Sequence, residues 1–575
     1  MKTIRQPSFI LIWLKKSYAN NMALTASQRL INLLKLDRKD ILQVLFYAIF
    51  AGLVSLSLPL GIQAIINLIQ SGRVSVSWIV LVFIVIAGVA LVGILSLMQL
   101  RITENLQQKI FIRSSFEFGF RLPKIKFEAL HNQYPPELAN RFFDTLTIQK
   151  GASKLLIDFS SALLQIAFGI ILLSLYHPFF IFFGVFLIIL LYIIFKFSYN
   201  SGLSSSLKES KFKYKVVSWL QEMARNNFSF KKASNFDYAL TKNDRLVSEY
   251  LIQRERHFSV IKRQFTQLIV FKIIITAGLL LIGGYLVLNQ KMNIGQFVAA
   301  EIIILLVINS VEKIVIGLET LYDVLTAVEK IGQITDLEIE ETTTEPADYC
   351  YTNIQLAAEN LSYKFPDATD YVLEKINLTI EQSEKIYLEG NNGSGKTTLI
   401  RILSGLIKPN SGSFYINDDT YRKIDLEQYR SQISTIITGE TPFEGTILEN
   451  ITFNNPLISQ EDLKWAIESV KLGDFIKSLP KGLDTKIYPE GKQLSSSNAQ
   501  KILLARSIIN RPKILFYEDA LDKMDNDAAQ EVIDFITSNE NKWTLIVSSK
   551  NDYWKQKCTR KITMSDGKII NDTKQ

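Results

Sequence analysis

Gly390-Asn391-Asn392-Gly393-Ser394-Gly395-Lys396-Thr397 has the spacing G-x-x-x-x-G-K-[ST], the pattern of a phosphate-binding loop. The residue types follow from the task. Successive backbone N–H groups surround phosphate oxygens, a lysine ammonium meets the outer ones, and a hydroxyl meets magnesium. Flanking structure separates a working loop from a chance match. Here Lys385-Ile386-Tyr387-Leu388 reads as a strand entering the loop, and Thr398-Leu399-Ile400-Arg401-Ile402-Leu403 reads as a helix leaving it. Residues 390–398 are therefore taken as a nucleotide site, with magnesium entering alongside the nucleotide through Thr397.

Outward from this loop the composition is uneven. The chain has 575 residues, too many for one ordinary domain, and 48% are hydrophobic, which suits a membrane part joined to a water-soluble part. The net charge of +8 is not gathered into one basic block, so a basic membrane face explains it better than nucleic acid. Cys350 and Cys558 are the only cysteines, which excludes a disulfide framework and a thiolate metal site. An apolar run at 8–14, followed by Lys15 and Lys16, is too short to span and reads as a segment lying on the membrane surface, ahead of a weak signal peptide.

A membrane span needs about 20 apolar residues. Six stretches qualify, at 41–68, 78–98, 155–176, 179–195, 268–288 and 294–317, the fourth being short. The intervening loops alternate between tight ones (71–77, 176–178, 289–293) and long ones (101–154, 196–267) rich in Lys and Arg. The positive-inside rule puts the long loops, the N-terminus and everything after 317 on the cytoplasmic side of a plasma (inner) membrane. The long loops carry helical apolar spacing and should continue the spans as helices. Asp158, Lys272, Glu301, Glu312 and Lys313 lie in or near spans. Lys272 and the Glu312/Lys313 pair fall at comparable depth and read as an ion pair or as headgroup-reaching side chains ahead of a polar cargo cavity; Glu301 is the better cavity candidate.

The acidic, Thr-rich stretch 337–352 reads as a linker. Beyond it the chain resembles the ATP-binding cassette of ABC transporters, and with six spans in front the whole resembles a half-transporter of the exporter type. Glu137-Leu138-Ala139-Asn140-Arg141-Phe142-Phe143-Asp144 resembles the segment after the first coupling helix of bacterial exporters. Spans and cassette fused in that order argue against an importer. The resemblance implies four regions: an interfacial segment at 1–40, an all-α six-helix membrane domain at 41–336, the linker, and an α/β P-loop cassette with a helical subdomain at 353–575.

Carried over motif by motif, the resemblance assigns adenine stacking to Phe365, with Tyr363 as the alternative. Thr438 stands where the family has a magnesium-ligating glutamine, and its shorter stem should not reach the ion. The signature LSGGQ becomes Leu494-Ser495-Ser496-Ser497-Asn498, adding Cβ atoms where glycines let a helix N-terminus approach the γ-phosphate. Asp525 at the D-loop position sets the register, so Glu518 takes the magnesium-side carboxylate role and Asp519 replaces the catalytic glutamate. A base retracted by ~1 Å costs on the order of 10²-fold in rate. The three histidines, His131, His177 and His257, all precede the cassette, and Ser549 occupies the place of the switch histidine. Losing one donor aimed at transition-state charge costs ~10²- to 10³-fold, though such losses do not multiply within one site.

The implied function is an ATP-binding half-transporter that, as a homodimer or heterodimer, exports a substrate by alternating access, with slow or partner-dependent ATP hydrolysis. The alternative is an ATP-binding, essentially non-hydrolysing membrane subunit that gates or scaffolds a secretion complex. Partners on this reading are a second half-transporter, membrane lipids and a membrane-fusion protein, with no nucleic acid. The region before the first span is short and lacks cysteine, which argues against leader-peptide processing. The cargo is not legible.

Overall fold

A computed structural model of the chain describes residues 24–70, 76–340, 351 and 353–574. The surface-lying segment expected at 8–14, most of the tight loop at 71–77 and most of the linker lie outside them. The chain divides into two units, Met1–Lys124 with Gln133–Leu337, and Ile125–Asn132 with Glu338–Gln575. Residues Ile125–Asn132 thus group with the cassette although they join two helices of the first unit in sequence.

The first unit is helical. Its long helices are Val76–Arg121, Asp144–Tyr176, Phe179–Arg225, Ala233–Leu288 and Ile294–Thr335. At 1.5 Å per residue, helices of 42 to 56 residues far exceed what a bilayer needs, so the long basic loops are indeed helical continuations of the spans. Five helices among the described residues are long and apolar enough to cross a membrane, and the fourth expected span contributes the shorter apolar helix Phe179–Ile193. The first expected span is present as Arg38–Gln70, with a kink at Leu56. It forms Arg38–Ser55 and Ser57–Gln70, because Pro59 lacks an N–H and its ring crowds the carbonyl four residues back. The core lies between helices, where Phe271, Ile275, Ile303, Val307 and Val311 are buried. Asn293 and Gln296 form a capping box that starts the last helix, setting the tight turn after 288.

The second unit is α/β. Its main sheet has the order Lys568–Lys574, Arg560–Ser565, Lys385–Gly390, Thr544–Ser548, Ile514–Glu518, Ile433–Ile436. All neighbours pair in parallel except the first, which is an antiparallel edge. The interior strands read as continuous apolar runs, as strands covered on both faces must; Ile514–Glu518 and Thr544–Ser548 are buried throughout. A four-stranded antiparallel sheet containing Leu356–Tyr363 and Leu373–Ile380 packs beside it. The helical subdomain includes Gln460–Ser469 and Ser496–Ile508. In parallel sheets ligands bind beyond the carboxyl ends of the strands. Gly390, Glu518, Ser548 and, two residues past Ile436, Thr438 all lie there.

Candidate functional site

The loop leaves its strand at Gly390 and enters the helix Lys396–Leu403 through Gly395. Gly390, Gly393 and Gly395 have φ of 154°, 87° and 96°. A Cβ on Gly395 would stand 2.6 Å from Leu373 Cδ2 and 2.8 Å from the Val372 carbonyl, so only glycine lets the backbone turn this tightly. Nothing lies within 4 Å of a Cβ on Gly393. Asn391, Asn392 and Gly393 are exposed, while Ser394 and Thr398 are buried beneath the loop. Lys396 folds back over it, donating to the carbonyls of Gly390 (2.7 Å) and Asn391 (2.9 Å). Burial lowers the ammonium pKa, and the Asp519 and Glu518 carboxylates oppose that shift.

Glu518 ends its strand, buried, and ties two loops together. Thr397 donates its hydroxyl to Glu518 Oε1, and the Thr438 N–H donates to Oε2 at 3.3 Å. A hydroxyl and a carboxylate in contact are the hard oxygen donors that magnesium takes. The donor set fits Mg²⁺ beside a phosphate-bound nucleotide, with Thr397 and Glu518 as the holding residues.

Asp519 turns the chain with φ 50°, a left-handed conformation that aspartate tolerates better than most residues. Its carboxylate accepts from the Thr438 hydroxyl at 3.0 Å. The Thr438 hydroxyl is thus directed at Asp519. Burial, then the neighbouring Asp522 carboxylate, pushes the Asp519 carboxyl above its ordinary value, with the Thr438 bond opposing. Asp522 was not singled out from the sequence. It accepts the Ser549 hydroxyl on Oδ1 and the Lys550 N–H on Oδ2 at 3.0 Å, so the hydroxyl at the switch position is spent on a carboxylate. The one available signal was an acidic residue three positions after Asp519, inside the turn that ends this strand.

Residues 373–522, which include the loop and both carboxylates, match the family model described as ABC transporter. Residues 373–522 form an ABC transporter domain. Among curated proteins the chain is 25% identical over 293 residues to the alpha-hemolysin translocation ATP-binding protein HlyB of Escherichia coli, covering 51% of this chain and 41% of that one. It is 30% identical over 227 residues to the ATP-dependent permease MDL1 of Candida albicans, covering 39% and 33%. The ABC-type transporter kk1G of Curvularia clavata is 30% identical over 222 residues, 37% of this chain and 17% of its own length. The chain therefore spans less than half the length of these relatives. A solved bacterial Atm1-family ABC exporter with ATP bound superposes with a TM-score of 0.81 at 16% identity, over 93% of this chain and 95% of that one. The chain thus has the ABC exporter fold, with a helical membrane domain and a cassette fused in one polypeptide.

The remaining ABC motifs lie apart from this cluster. In the signature, Ser495 caps the helix Ser496–Ile508 by accepting from the Asn498 N–H at 3.2 Å; Ser495 and Ser496 are exposed, and Leu494, Ser497 and Asn498 are half-buried. Asp525 precedes the helix Asn526–Thr537, and its exposed carboxylate makes no capping bond. Of the two aromatic candidates, Tyr363 is buried at 1% exposure and unable to present a face, which leaves Phe365. Phe365 has a partner that no local pattern reveals: the His131 ring stacks on it at 5.1 Å and 13°. Asn132 donates to Asp367 beside it, and the Arg401 guanidinium lies 5.4 Å from the Phe127 ring. The short segment Ile125–Asn132 is thereby fastened beside Phe365.

Proposed function

We propose that this chain is an ATP-binding half-transporter that, as a dimer, exports a solute across a membrane by alternating access, with slow or partner-dependent hydrolysis. The observation that carries the reading is the contrast within one pocket. The phosphate loop retains the residue types that hold ATP and Mg²⁺, whereas the positions assigned to water activation and to the switch carry Asp519 and Ser549, bonded to Thr438 and Asp522. Asp519 is the residue placed to orient the attacking water. It is one methylene shorter than glutamate and is held by Thr438. Ser549 would give its hydroxyl to the transferred phosphate only after leaving Asp522.

Two cassettes meet head to tail in this family, so the exposed Ser495 and Ser496 would face the nucleotide of the second subunit. A homodimer then combines Thr438, Asp519, Ser549 and a serine-rich signature at both sites. A heterodimer with a standard half-transporter would keep a sound base and switch at the partner's loop. The basic helical extensions and the cassette are assigned to the cytoplasmic side of the inner membrane. The same spent hydroxyls favour, as a second reading, a subunit that binds ATP without turning it over and gates a secretion complex with a membrane-fusion protein. Purified protein, alone and with a candidate partner, separates the two. Turnover that disappears with Lys396→Ala supports the exporter, and nucleotide binding without turnover in any pairing supports the gate.

A further inference from the structure

Two helices of the membrane unit, Asp144–Tyr176 and Ile294–Thr335, share a polar face. Lys154, Asp158 and Gln165 recur at helical spacing on the first, and Asn309, Glu312 and Lys313 on the second. Together they line a cavity of about 470 Å³, within the roughly 300–1,000 Å³ of small-molecule sites. Glu301, the cavity candidate from sequence, does not line it. Glu301 shares the Glu312 face of that helix but stands about three turns before it, beyond the end of the cavity.

Charge within apolar spans is costly and is retained where it is paired or used. One pair exists: Lys272 donates to Glu312 at 2.7 Å, as the ion-pair reading of these positions expects. Gln165 accepts from Ser310 at 2.8 Å. Among the described residues, Lys154, Asp158 and Lys313 have no ion-pair partner within 4.0 Å. The cavity thus offers two ammonium groups against one unpaired carboxylate, with the amides of Gln165 and Asn309 also in its lining. Such a lining suits an occupant with more negative than positive charge, whose amine or amide answers Asp158.

We propose that this cavity is where the exported solute is held, and that the solute is a small acidic molecule bearing carboxylate or phosphate groups in excess of its amines. The proposal rests on the exporter reading and adds the class of cargo to it. Anionic chemistry could also come from a lipid headgroup, and the test separates the two sources.

Full-length protein in phosphatidylcholine nanodiscs is titrated, without nucleotide, with a radiolabelled dipeptide of two glutamates and with its two-lysine counterpart. The acidic dipeptide should bind about tenfold more tightly or better, the scale expected from two partly exposed ion pairs. Lys154→Glu combined with Lys313→Glu should reverse the order. The milder Lys313→Gln should weaken acidic binding several-fold while ATP binding at the cassette stays unchanged, which controls for folding. Equal affinity for the two probes, no binding of either, or an order that survives the substitutions overturns the proposal. Phosphatidylglycerol added to the nanodisc should leave the acidic dipeptide's affinity intact; loss in proportion to that lipid makes the site a headgroup site and also overturns it. Selective acidic binding in a protein that never turns over ATP would contradict the exporter reading alone.

Discussion

The phosphate loop and the rim beside it differ in what they preserve. In the loop the glycines hold φ angles of 87° and 96° and the residue types that hold phosphate and magnesium are all present, with Lys396 resting on the Gly390 and Asn391 carbonyls and Thr397 on Glu518. Across from it, Thr438 bonds Asp519, and Ser549 bonds Asp522. On the proposed reading, holding a nucleotide and cutting it fall to separate residues, so that one is kept while the other is restrained. An intact loop is evidence for binding and says little about rate.

The contrast can be broken from the loop side first. Lys396→Ala removes the loop's ammonium group, now on the Gly390 and Asn391 carbonyls, and should cut ATP turnover by about 10²- to 10³-fold. Nucleotide binding measured by displacement of a fluorescent analogue should fall with it. From the rim side, Asp519→Glu restores the missing methylene and should raise turnover by up to about 10²-fold without changing ATP affinity; a parallel change in affinity would mean that the two halves of the pocket are not independent. Asp522→Ser frees Ser549 and lifts a neighbouring charge from Asp519. Turnover should rise about tenfold, the effect of one recovered hydrogen bond to developing charge, read in a steady-state phosphate-release assay.

The smallest effect concerns the scaffold under the loop. Arg560 lies next to the loop strand and binds Asp572 through two hydrogen bonds of 2.8 and 2.7 Å. Those bonds hold the Asp572 carboxyl below its ordinary value. A depressed carboxylate pKa means stability that is present above the unfolded value, about 3.9, and lost as pH falls through the folded one. Denaturation midpoints should therefore drop below about pH 4, and Arg560→Gln should flatten that decline at the expense of stability at neutral pH.

Much of this arrangement is written locally in the chain. The loop, its entering strand and its leaving helix follow from eight residues and their neighbours, and the spans follow from apolar length. The helical extensions follow from periodicity within the basic loops. What escaped depends on distant pairing or on a single backbone defect. Asp522 reads as one more solvated turn residue until folding places it against Ser549, 27 positions later. His131 meets Phe365 only because the segment around it is carried onto the cassette, as shown by Asn132 bonding Asp367 at a separation of 235 positions. Pro59 lies inside a stretch whose hydropathy alone reads as one unbroken span. Glu301 stands alone in an apolar run, whereas this cavity is lined about two to three turns further along the same helix, beside Lys154 and Asp158.

The most direct test of the separation between holding and cutting is a side-by-side measurement of ATP affinity and saturated ATP turnover on the purified protein without a partner chain. Saturable, Lys396-dependent binding with turnover below about 0.1 s⁻¹, under the ordinary enzymatic range, is the predicted result. Turnover of several per second under the same conditions would show that the Thr438–Asp519 and Ser549–Asp522 bonds restrain nothing, and would contradict the account.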